Sequence, residues 1–350
     1  LHSHTHSFPT RRSSDLYLNL LLEKGSDDGE DITTKKTSKR IAGVTLRQDL
    51  SEGFPILRAF YIPVKSAFKE MVWVWKKSDN TKQLGEDFLD EFADENGCIG
   101  KSYGYQLSYP MIFYKDQKNR CYENIVSYPD QVSYMINFLK EFPMNGCAVT
   151  TFLNIKDLPV MNFHPYCHTM NWSVNGGKLN LMINQSSGDF LYTCPIISVQ
   201  YAALLCIMAK IIGVQPGVFT HTIADANVFS DNLPKAQATG AILDLMYACT
   251  PEGSAELVRG EEEEDSDPSD TRKPMSYFEE RASSLYNPVK AEDAGELGPE
   301  VIGSVAAGVV GGNTSFITPE VTDFSQVDPS TLGIDGYSFV GKMDFGDVII

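Results

Sequence analysis

The sequence predicts an α+β fold, and three observations lead to this class. Asn175-Gly176-Gly177 separates two β-rich segments, residues 170–174 and 179–183, and is a strong hairpin signal. The apolar segment that begins at Pro195 and ends at Gly213 predicts one long buried helix after the hairpin. Helical and β-rich segments also mix along the chain without strict βαβ alternation, which favours α+β over a parallel α/β class.

The other elements follow from hydrophobic periodicity and from residues that end helices. Apolar residues recur at helical spacing in residues 17–24, 62–75 and 131–142. Gly25 follows the first of these helices and Pro143 follows the last, and both residues favour helix termination. A polar, lysine-rich loop is expected from Gly25 to Arg40, and strands are expected at residues 148–153 and within residues 316–350.

Composition divides the chain into one domain with an insertion. Residues 1–16 contain a string, 6–16, that resembles a translated sequencing-library adapter, so they are set apart from the fold. Residues 17–250 and 314–350 are expected to form a single domain. Residues 251–313 are rich in acidic residues, Ser, Pro and Gly, which predicts a disordered or loosely packed insertion.

Charge and cysteine usage exclude several classes of function. The formal net charge of −17 argues against nucleic-acid binding, because phosphate neutralisation needs a basic surface. The seven cysteines are scattered without a Cys-x-x-Cys pair, so we expect no metal site, no disulfide framework and a reducing, cytoplasmic location. Gln200 and Lys210 interrupt the longest apolar segment, which favours a buried helix over a membrane span.

Several short segments follow one another in the order and spacing of a known family. They are Asp-Leu-Ser-Glu-Gly-Phe-Pro at 49–55, Asp-Glu-Phe-Ala-Asp-Glu-Asn-Gly at 90–97 with Tyr-Gly at 103–104, His-Pro-Tyr-Cys-His at 164–168, Gln-Ser-Ser-Gly-Asp at 185–189 and Ile-Asp-Gly-Tyr at 334–337. Together they resemble the thymidylate synthase family, which includes dCMP hydroxymethylase. One segment alone would be a weak signal, whereas the ordered set is specific.

The resemblance implies both a fold and a chemistry. The fold is a kinked mixed sheet packed with helices, in a homodimer whose sheets pack back to back. In the chemistry, a cysteine thiolate adds to C6 of the uracil ring of dUMP, and C5 then takes a one-carbon unit from 5,10-methylenetetrahydrofolate to give dTMP. The implied activity is that of a methyltransferase, and the implied partners are a pyrimidine nucleotide or nucleoside, a reduced folate and a second copy of the chain.

The resemblance also assigns roles to residues of this sequence. Cys167 is the nucleophile, Glu70 orders water and shuttles protons at the pyrimidine, and Tyr103 assists removal of the C5 proton. Asp189 binds the folate pterin, and Tyr337 reaches the deoxyribose. Support for the catalytic and substrate-binding pocket is assigned to Asn154, Gln185 and Ser187.

Two of these residues have a simpler interpretation when they are taken alone. Cys167 would more often be a buried apolar cysteine. Glu70, between Phe68 and Met71, is as compatible with burial as with a solvent-facing carboxylate. Of the seven cysteines, Cys167 is expected to react fastest with a thiol reagent at neutral pH, provided that its pKa is lowered as in the family.

The sequence departs from the family where the nucleotide is held. The phosphate-binding arginines of the family align with Ser186, Gly146, Cys147 and Thr33. Altered contacts with the base, the sugar and the folate are expected at Ile197, Asn227, Phe229, Leu89, Phe92, Phe60 and Tyr61. An N-terminal basic loop either replaces the phosphate site or is merely solvated, and the solvated loop is favoured; its residues are Lys35, Lys36, Lys39 and Arg40.

Three hypotheses about function are therefore open. The first is an active thymidylate synthase with a rebuilt phosphate site. The second is a related pyrimidine C5-transferase that acts on another, unphosphorylated substrate, which the missing arginines favour. The third is an inactive homologue with a dimerisation or regulatory role, against which the survival of Cys167, Glu70 and Asp189 counts.

Overall fold

The computed structural model describes residues 13–28, 36–57, 61–114, 125–141, 147–237, 239–240, 314–317 and 319–335. Helices within these residues are α1 (Ser13–Lys24), α2 (Val64–Trp75), α3 (Thr81–Leu84), α4 (Tyr103–Leu107), α5 (Gln131–Glu141) and α6 (Thr193–Ile212). The strands are β1 (Ser26–Asp28), β2 (Ser38–Asp49), β3 (Met111–Tyr114), β4 (Ile125–Tyr128), β5 (Cys147–Thr151), β6 (Cys167–Asn175), β7 (Lys178–Asp189), β8 (Gln215–Phe229), β9 (Ser315–Ile317) and β10 (Gly333–Asp335).

The main sheet is six-stranded and mixed, with the order β1-β2-β8-β7-β6-β5. Its neighbouring strands are antiparallel except β7 and β8, which run parallel. Helix α6 makes the crossover between those two strands, as a parallel pair requires. The sheet and its helices confirm the predicted α+β class.

The hairpin between β6 and β7 forms where the sequence predicts it. Asn175 pairs with Lys178, which leaves a two-residue turn. Gly176 and Gly177 both have positive φ, +57° and +75°, the conformation that a tight type I′ turn requires at its two central positions.

Helix α6 forms the centre of the core. By length and composition alone it could cross a membrane, but 83% of its apolar window is buried inside the fold. It packs against α2 and against the inner face of β7 and β8. Beside it, Trp75 of α2 meets Trp172 of β6 edge to face at 5.7 Å. The prediction of a buried core helix is confirmed.

The predicted loop up to Arg40 is wrong in part, because β2 begins at Ser38 and β1 lies at residues 26–28. Lys39 and Arg40 face Val228 and Asn227 in the β2–β8 ladder. Backbone pairing with a long central strand outweighs the polar character of these side chains.

Residues after the predicted insertion return to the same core. Phe316 packs against Phe54 and Phe68, with ring centroids 5.6 and 5.5 Å apart. The Thr314 carbonyl accepts a hydrogen bond of 2.8 Å from the Phe54 N–H. The predicted insertion, residues 251–313, lies outside the described residues.

Candidate active site

Cys167 owes its direction to a β-bulge at the start of β6. Cys167 pairs with Gln185, but the next pair is Thr169 with Asn184, so β6 carries one extra residue there. A bulge of this kind turns one side chain to the opposite face of the sheet. Cys167 therefore points into the core, where its side chain is buried.

The thiol lies at the edge of a cavity of about 270 Å³ between α2 and α6. The wall from α6 follows helical spacing, since Ile197, Gln200 and Tyr201 are three and four residues apart. The lining is mostly apolar or aromatic, and it consists of Pro63, Ser66, Ala67, Glu70, Met71, Val74, Trp75, Glu86, Phe88, Tyr103, Tyr166, Cys167, Tyr192, Thr193, Ile196, Ile197, Gln200 and Tyr201. The structure thus brings the predicted Cys167, Glu70 and Tyr103 together.

Glu70 reaches the cavity from α2. Its Oε2 accepts a hydrogen bond of 2.5 Å from Gln200 Nε2. Burial raises the pKa of the Glu70 carboxyl to about 7, because the charged form loses hydration, and the hydrogen bond from Gln200 opposes this shift. Such a carboxyl can take up and release protons near neutral pH.

Tyr103 is held in an uncommon backbone conformation at the start of α4. Its φ is +35°, which a non-glycine residue adopts at a cost, and such outliers concentrate at functional sites. Next to it, a Cβ on Gly104 would lie 2.1 Å from the Ser78 carbonyl oxygen, so only glycine fits. The Tyr103 ring packs on Phe163 with 5.4 Å between centroids. Burial, then the charges of Glu70 and Cys167, raise the pKa of its hydroxyl.

The lowered pKa that the expected fast reaction of Cys167 requires is not found in the structure. Burial raises the pKa of the thiol well above its usual range, and only the hydroxyl of Tyr201 opposes this. Among the described lining residues there is no Lys, Arg or His to stabilise a thiolate. Cys167 is therefore a protonated thiol in this state, and among the four cysteines whose side chains the structure describes, the half-buried Cys98 is better placed to react first.

Gln185 lies directly behind the nucleophile, while Ser187 stays out of the cavity lining. Gln185 Oε1 is 4.0 Å from Cys167 Sγ and 2.6 Å from His221 Nε2. Gln185 Nε2 donates to the Ser187 carbonyl at 2.8 Å, which fixes the orientation of the amide. On the far side of the ring, Ser198 Oγ is 3.0 Å from His221 Nδ1. Burial lowers the pKa of His221 to about 3, so this imidazole is neutral.

Asp189 ends β7 and is buried next to the start of α6. Its Oδ1 accepts hydrogen bonds from the N–H groups of Leu191 and Tyr192, at 2.8 and 3.0 Å. Its Oδ2 is buried without a hydrogen-bond partner in the described structure. Burial raises the pKa of this carboxyl to about 6. The N–H groups of Tyr192, Leu191 and Phe229 oppose this shift. Asp189 does not line the cavity itself.

Asn154 belongs to a different cluster. Its Nδ2 donates to Asp157 Oδ2 at 3.0 Å, in the loop after β5. Asp157 also accepts from Lys101 at 2.8 Å, Tyr109 at 2.6 Å and Gln106 at 3.2 Å. The structure does not place Asn154 in the lining of the Cys167 cavity. Tyr337 lies outside the described residues, as do Thr33, Lys35, Phe60 and Gly146.

The basic residues of the N-terminal segment that are described have acidic or backbone partners. Lys36 pairs with Asp231 at 2.7 Å, and Arg40 pairs with Asp225 at 2.9 Å. Lys39 donates to the Leu22 carbonyl at 2.8 Å. None of these three lines the cavity.

Sequence reasoning alone did not assign a role to Gln200, Tyr201, His221 or Ser198. A signal existed for Gln200, because it is one of the few polar residues within the apolar α6 segment. The contact between His221 and Gln185 depends on the register of β7 and β8, which the sequence does not specify.

Comparisons with known proteins agree on one family. A family model described as thymidylate synthase matches residues 15–241. A thymidylate synthase of Clostridium beijerinckii is 32% identical over 219 residues, which cover 61% of this chain and 75% of that protein. The solved structure of thermostable thymidylate synthase A from Bacillus subtilis matches with a TM-score of 0.58 and 25% identity, over 65% of this chain and 82% of that chain. Because the family model spans more than half of the sequence, the chain belongs to the thymidylate synthase family.

Proposed function

We propose that this protein transfers a one-carbon unit from methylenetetrahydrofolate to C5 of a pyrimidine, with Cys167 as the nucleophile. One-carbon transfer to a pyrimidine is the chemistry of the family to which the chain belongs. The observation that carries the proposal is the convergence of Cys167, Glu70 and Tyr103 on one cavity.

Glu70, Cys167 and Tyr103 have different roles in the proposed reaction. Glu70, with a pKa of about 7, takes the proton that the buried Cys167 thiol must lose. The sulfur bonds to C6, and the π electrons of the C5–C6 bond move onto C5 and the neighbouring carbonyl. With the cofactor bound, C5 would take the one-carbon unit as the bond between that carbon and a folate nitrogen breaks, and Tyr103 would assist loss of the C5 hydrogen as a proton. The sulfur then leaves C6 with its bonding pair, which restores the double bond.

The donor chemistry of the chain fits a reduced folate. When bound, this cofactor supplies the one-carbon unit and the hydride that reduces it to a methyl group. Asp189 Oδ2 is a buried acceptor without a partner in the described structure, and a pterin ring presents the N–H donors that such an oxygen needs. Asp189 would therefore hold the ring.

The first candidate substrate is dUMP, as in the family. The charges of the site favour a second candidate, an unphosphorylated pyrimidine nucleoside. The described lining contains the carboxylates Glu70 and Glu86 and no cation, and the described basic residues nearest in sequence to the expected phosphate site have other partners. A negatively charged phosphate would add little favourable binding free energy in such surroundings.

Release of the C5 hydrogen tests the proposal. Protein, methylenetetrahydrofolate and [5-³H]-labelled dUMP or deoxyuridine should give tritiated water, and Cys167→Ser should give none. Release with deoxyuridine alone selects the second candidate. No release above the Cys167→Ser variant with either ligand contradicts the proposed reaction and leaves the inactive-homologue hypothesis.

We also propose a homodimer formed by the outward face of the main sheet. The face opposite α6 is mostly uncharged, with Asn171, Ser173, Asn180, Met182, Val218 and Thr220, and Lys178 lies on the same surface. Thr222 Oγ1 is buried on this side of β8 without a hydrogen-bond partner in the described structure. Sedimentation should give a dimer at micromolar concentration, and Met182→Asp should shift it toward monomer. A monodisperse monomer of the unmodified chain contradicts this arrangement.

The free cysteines among the described residues suit a reducing compartment, and we propose the cytoplasm as the location.

A further inference from the structure

Gln200 lies on α6 where this helix faces α2, and its side-chain amide is almost fully buried. Its Nε2 donates to the Ala67 carbonyl at 3.1 Å and to Glu70 Oε2 at 2.5 Å. A backbone carbonyl can only accept, so the nitrogen of the amide must face α2. Both side-chain N–H groups of Gln200 therefore donate to one turn of α2, one to the Ala67 carbonyl and the other to the Glu70 carboxylate.

Other groups around Glu70 do not supply a comparable donor. Tyr103 from α4, Tyr201 from α6 and Cys167 from β6 interact with Glu70 electrostatically, and burial keeps all three neutral at neutral pH. Glu86 lines the same cavity, but Lys69 lies 2.5 Å from it and balances its charge. Among the described residues, the Gln200 amide is the hydrogen-bond donor to the Glu70 carboxylate.

We propose that Gln200 is a positioning residue that holds Glu70 as an ionised hydrogen-bond acceptor in the cavity. The inference rests on the proposed function, because it concerns the proton transfer assigned to Glu70. With Oε2 held by Gln200, Oε1 is the oxygen left to face a thiol, a water or a substrate. Without this donor, burial alone favours the protonated carboxyl, which cannot accept the proton of Cys167.

Substitution of Gln200 by methionine keeps the length of the side chain and removes both donors. NMR of protein labelled with ¹³C at the glutamate carboxyl groups measures the ionisation directly, and Glu70→Gln identifies the Glu70 resonance. The resonance should titrate near pH 7 in the unmodified protein. In Gln200→Met the midpoint should rise by about one pH unit or more, because a hydrogen bond to the charged form is lost.

Lys210→Met is the matched control on the same helix. Lys210 is exposed and pairs with Glu320 at 2.7 Å, away from the cavity. This variant should leave the Glu70 midpoint unchanged. An unchanged midpoint in a folded Gln200→Met protein would overturn the proposal, as would an equal shift in Lys210→Met.

If Gln200→Met does not fold, a measurement on the unmodified protein tests the same proposal. The side-chain amide protons of Gln200 should shift with the same midpoint as Glu70, since the hydrogen bond weakens when the carboxylate is protonated. If the chemical shifts of the Gln200 amide protons do not change as Glu70 titrates, the proposal is contradicted. Neither titration needs turnover, so a protein that releases no C5 hydrogen but shows both effects refutes the proposed reaction and keeps this inference.

Discussion

Two polar clusters of this protein, one around Asp157 and one around Cys167, lie within the same fold and differ in almost every physical respect. Asp157 accepts hydrogen bonds from four side chains, and Lys101 and Tyr109 hold its pKa down to about 2. Glu70 has one hydrogen-bond donor among the residues that the structure describes, and its pKa is raised to about 7. Asp189 keeps one buried oxygen without a partner in the described structure.

The comparison separates a structural cluster from a functional one. A carboxylate whose partners are all present contributes to stability and has no capacity left for a ligand. Buried carboxyls with raised pKa values are costly to folding, and such groups concentrate where chemistry occurs. Substitutions in the two clusters should therefore have opposite effects on stability and activity.

The largest expected effect is on activity. Cys167→Ser should reduce C5-hydrogen release by more than about 10⁴-fold, because a hydroxyl in a cavity whose described lining contains no cation is a far weaker nucleophile. Its thermal unfolding temperature should stay close to that of the unmodified protein. The control is Cys206→Ser, which changes a buried cysteine of α6 and should keep most of the activity. Similar losses in both variants would mean that the effect is structural.

The largest effect on stability should come from Asp157→Ala, which removes one acceptor shared by Lys101, Tyr109, Gln106 and Asn154. The pKa of Asp157 is lowered in the folded state, so its contribution is present above about pH 4 and disappears as pH falls toward 2. Urea unfolding should show that Asp157→Ala has a lower free energy of unfolding than the unmodified protein at pH 7. The difference should be smaller at pH 3.

The matched control for Asp157 is Asp225→Ala, which removes the partner of Arg40 at a more exposed site. This change should cost less than about 1 kcal/mol. If the two variants lose the same free energy of unfolding, the Asp157 cluster contributes no more to stability than an ordinary ion pair does.

Glu70 should make the protein less stable as pH rises. Its folded-state pKa of about 7 lies above the unfolded value near 4.5, so the folded state binds more protons between these limits. Stability should fall across that window by about 2–3 kcal/mol from Glu70, and Glu70→Gln should remove this part of the slope. Asp189 contributes in the same direction and should keep a smaller slope in the variant. Urea unfolding at pH 5, 6, 7 and 8 measures the difference, and an unchanged slope would contradict the burial of Glu70.

The smallest effect concerns the phosphate. We expect dUMP and deoxyuridine to bind with affinities within about tenfold, or about 1.4 kcal/mol, and with little dependence on salt. Ser186→Arg should improve dUMP selectively, because a guanidinium can bind phosphate through two hydrogen bonds. A strong preference for dUMP that Lys35→Ala together with Lys36→Ala abolishes would show that the basic loop forms the phosphate site.

The sequence predicted those parts of the fold in which local signals and tertiary packing agree. The Gly176–Gly177 turn and helix α6 carry such signals, and both formed as expected. The start of β2 was missed because Ser38, Lys39 and Arg40 are polar, and their pairing with β8 is a long-range contact.

The site was predictable only in part, for the same reason. The family resemblance assigned Cys167, Glu70 and Tyr103 to the catalytic site, and these three line one cavity, but it also assigned Asn154 to that pocket, whereas its amide bonds to Asp157. The raised pKa of the Cys167 thiol depends on burial and on the absence of a described cation in the lining, which no local pattern reveals.

Mass spectrometry of a covalent adduct tests the central claim most directly. The protein is incubated with methylenetetrahydrofolate and 5-fluoro-2′-deoxyuridine or its monophosphate. Fluorine at C5, unlike hydrogen, is not lost as a cation, so the reaction stops with the sulfur bound to C6. We predict an added mass on the peptide that contains Cys167, and no added mass in Cys167→Ser. An adduct on another cysteine, or one that persists in Cys167→Ser, would contradict the assignment of Cys167 as the nucleophile.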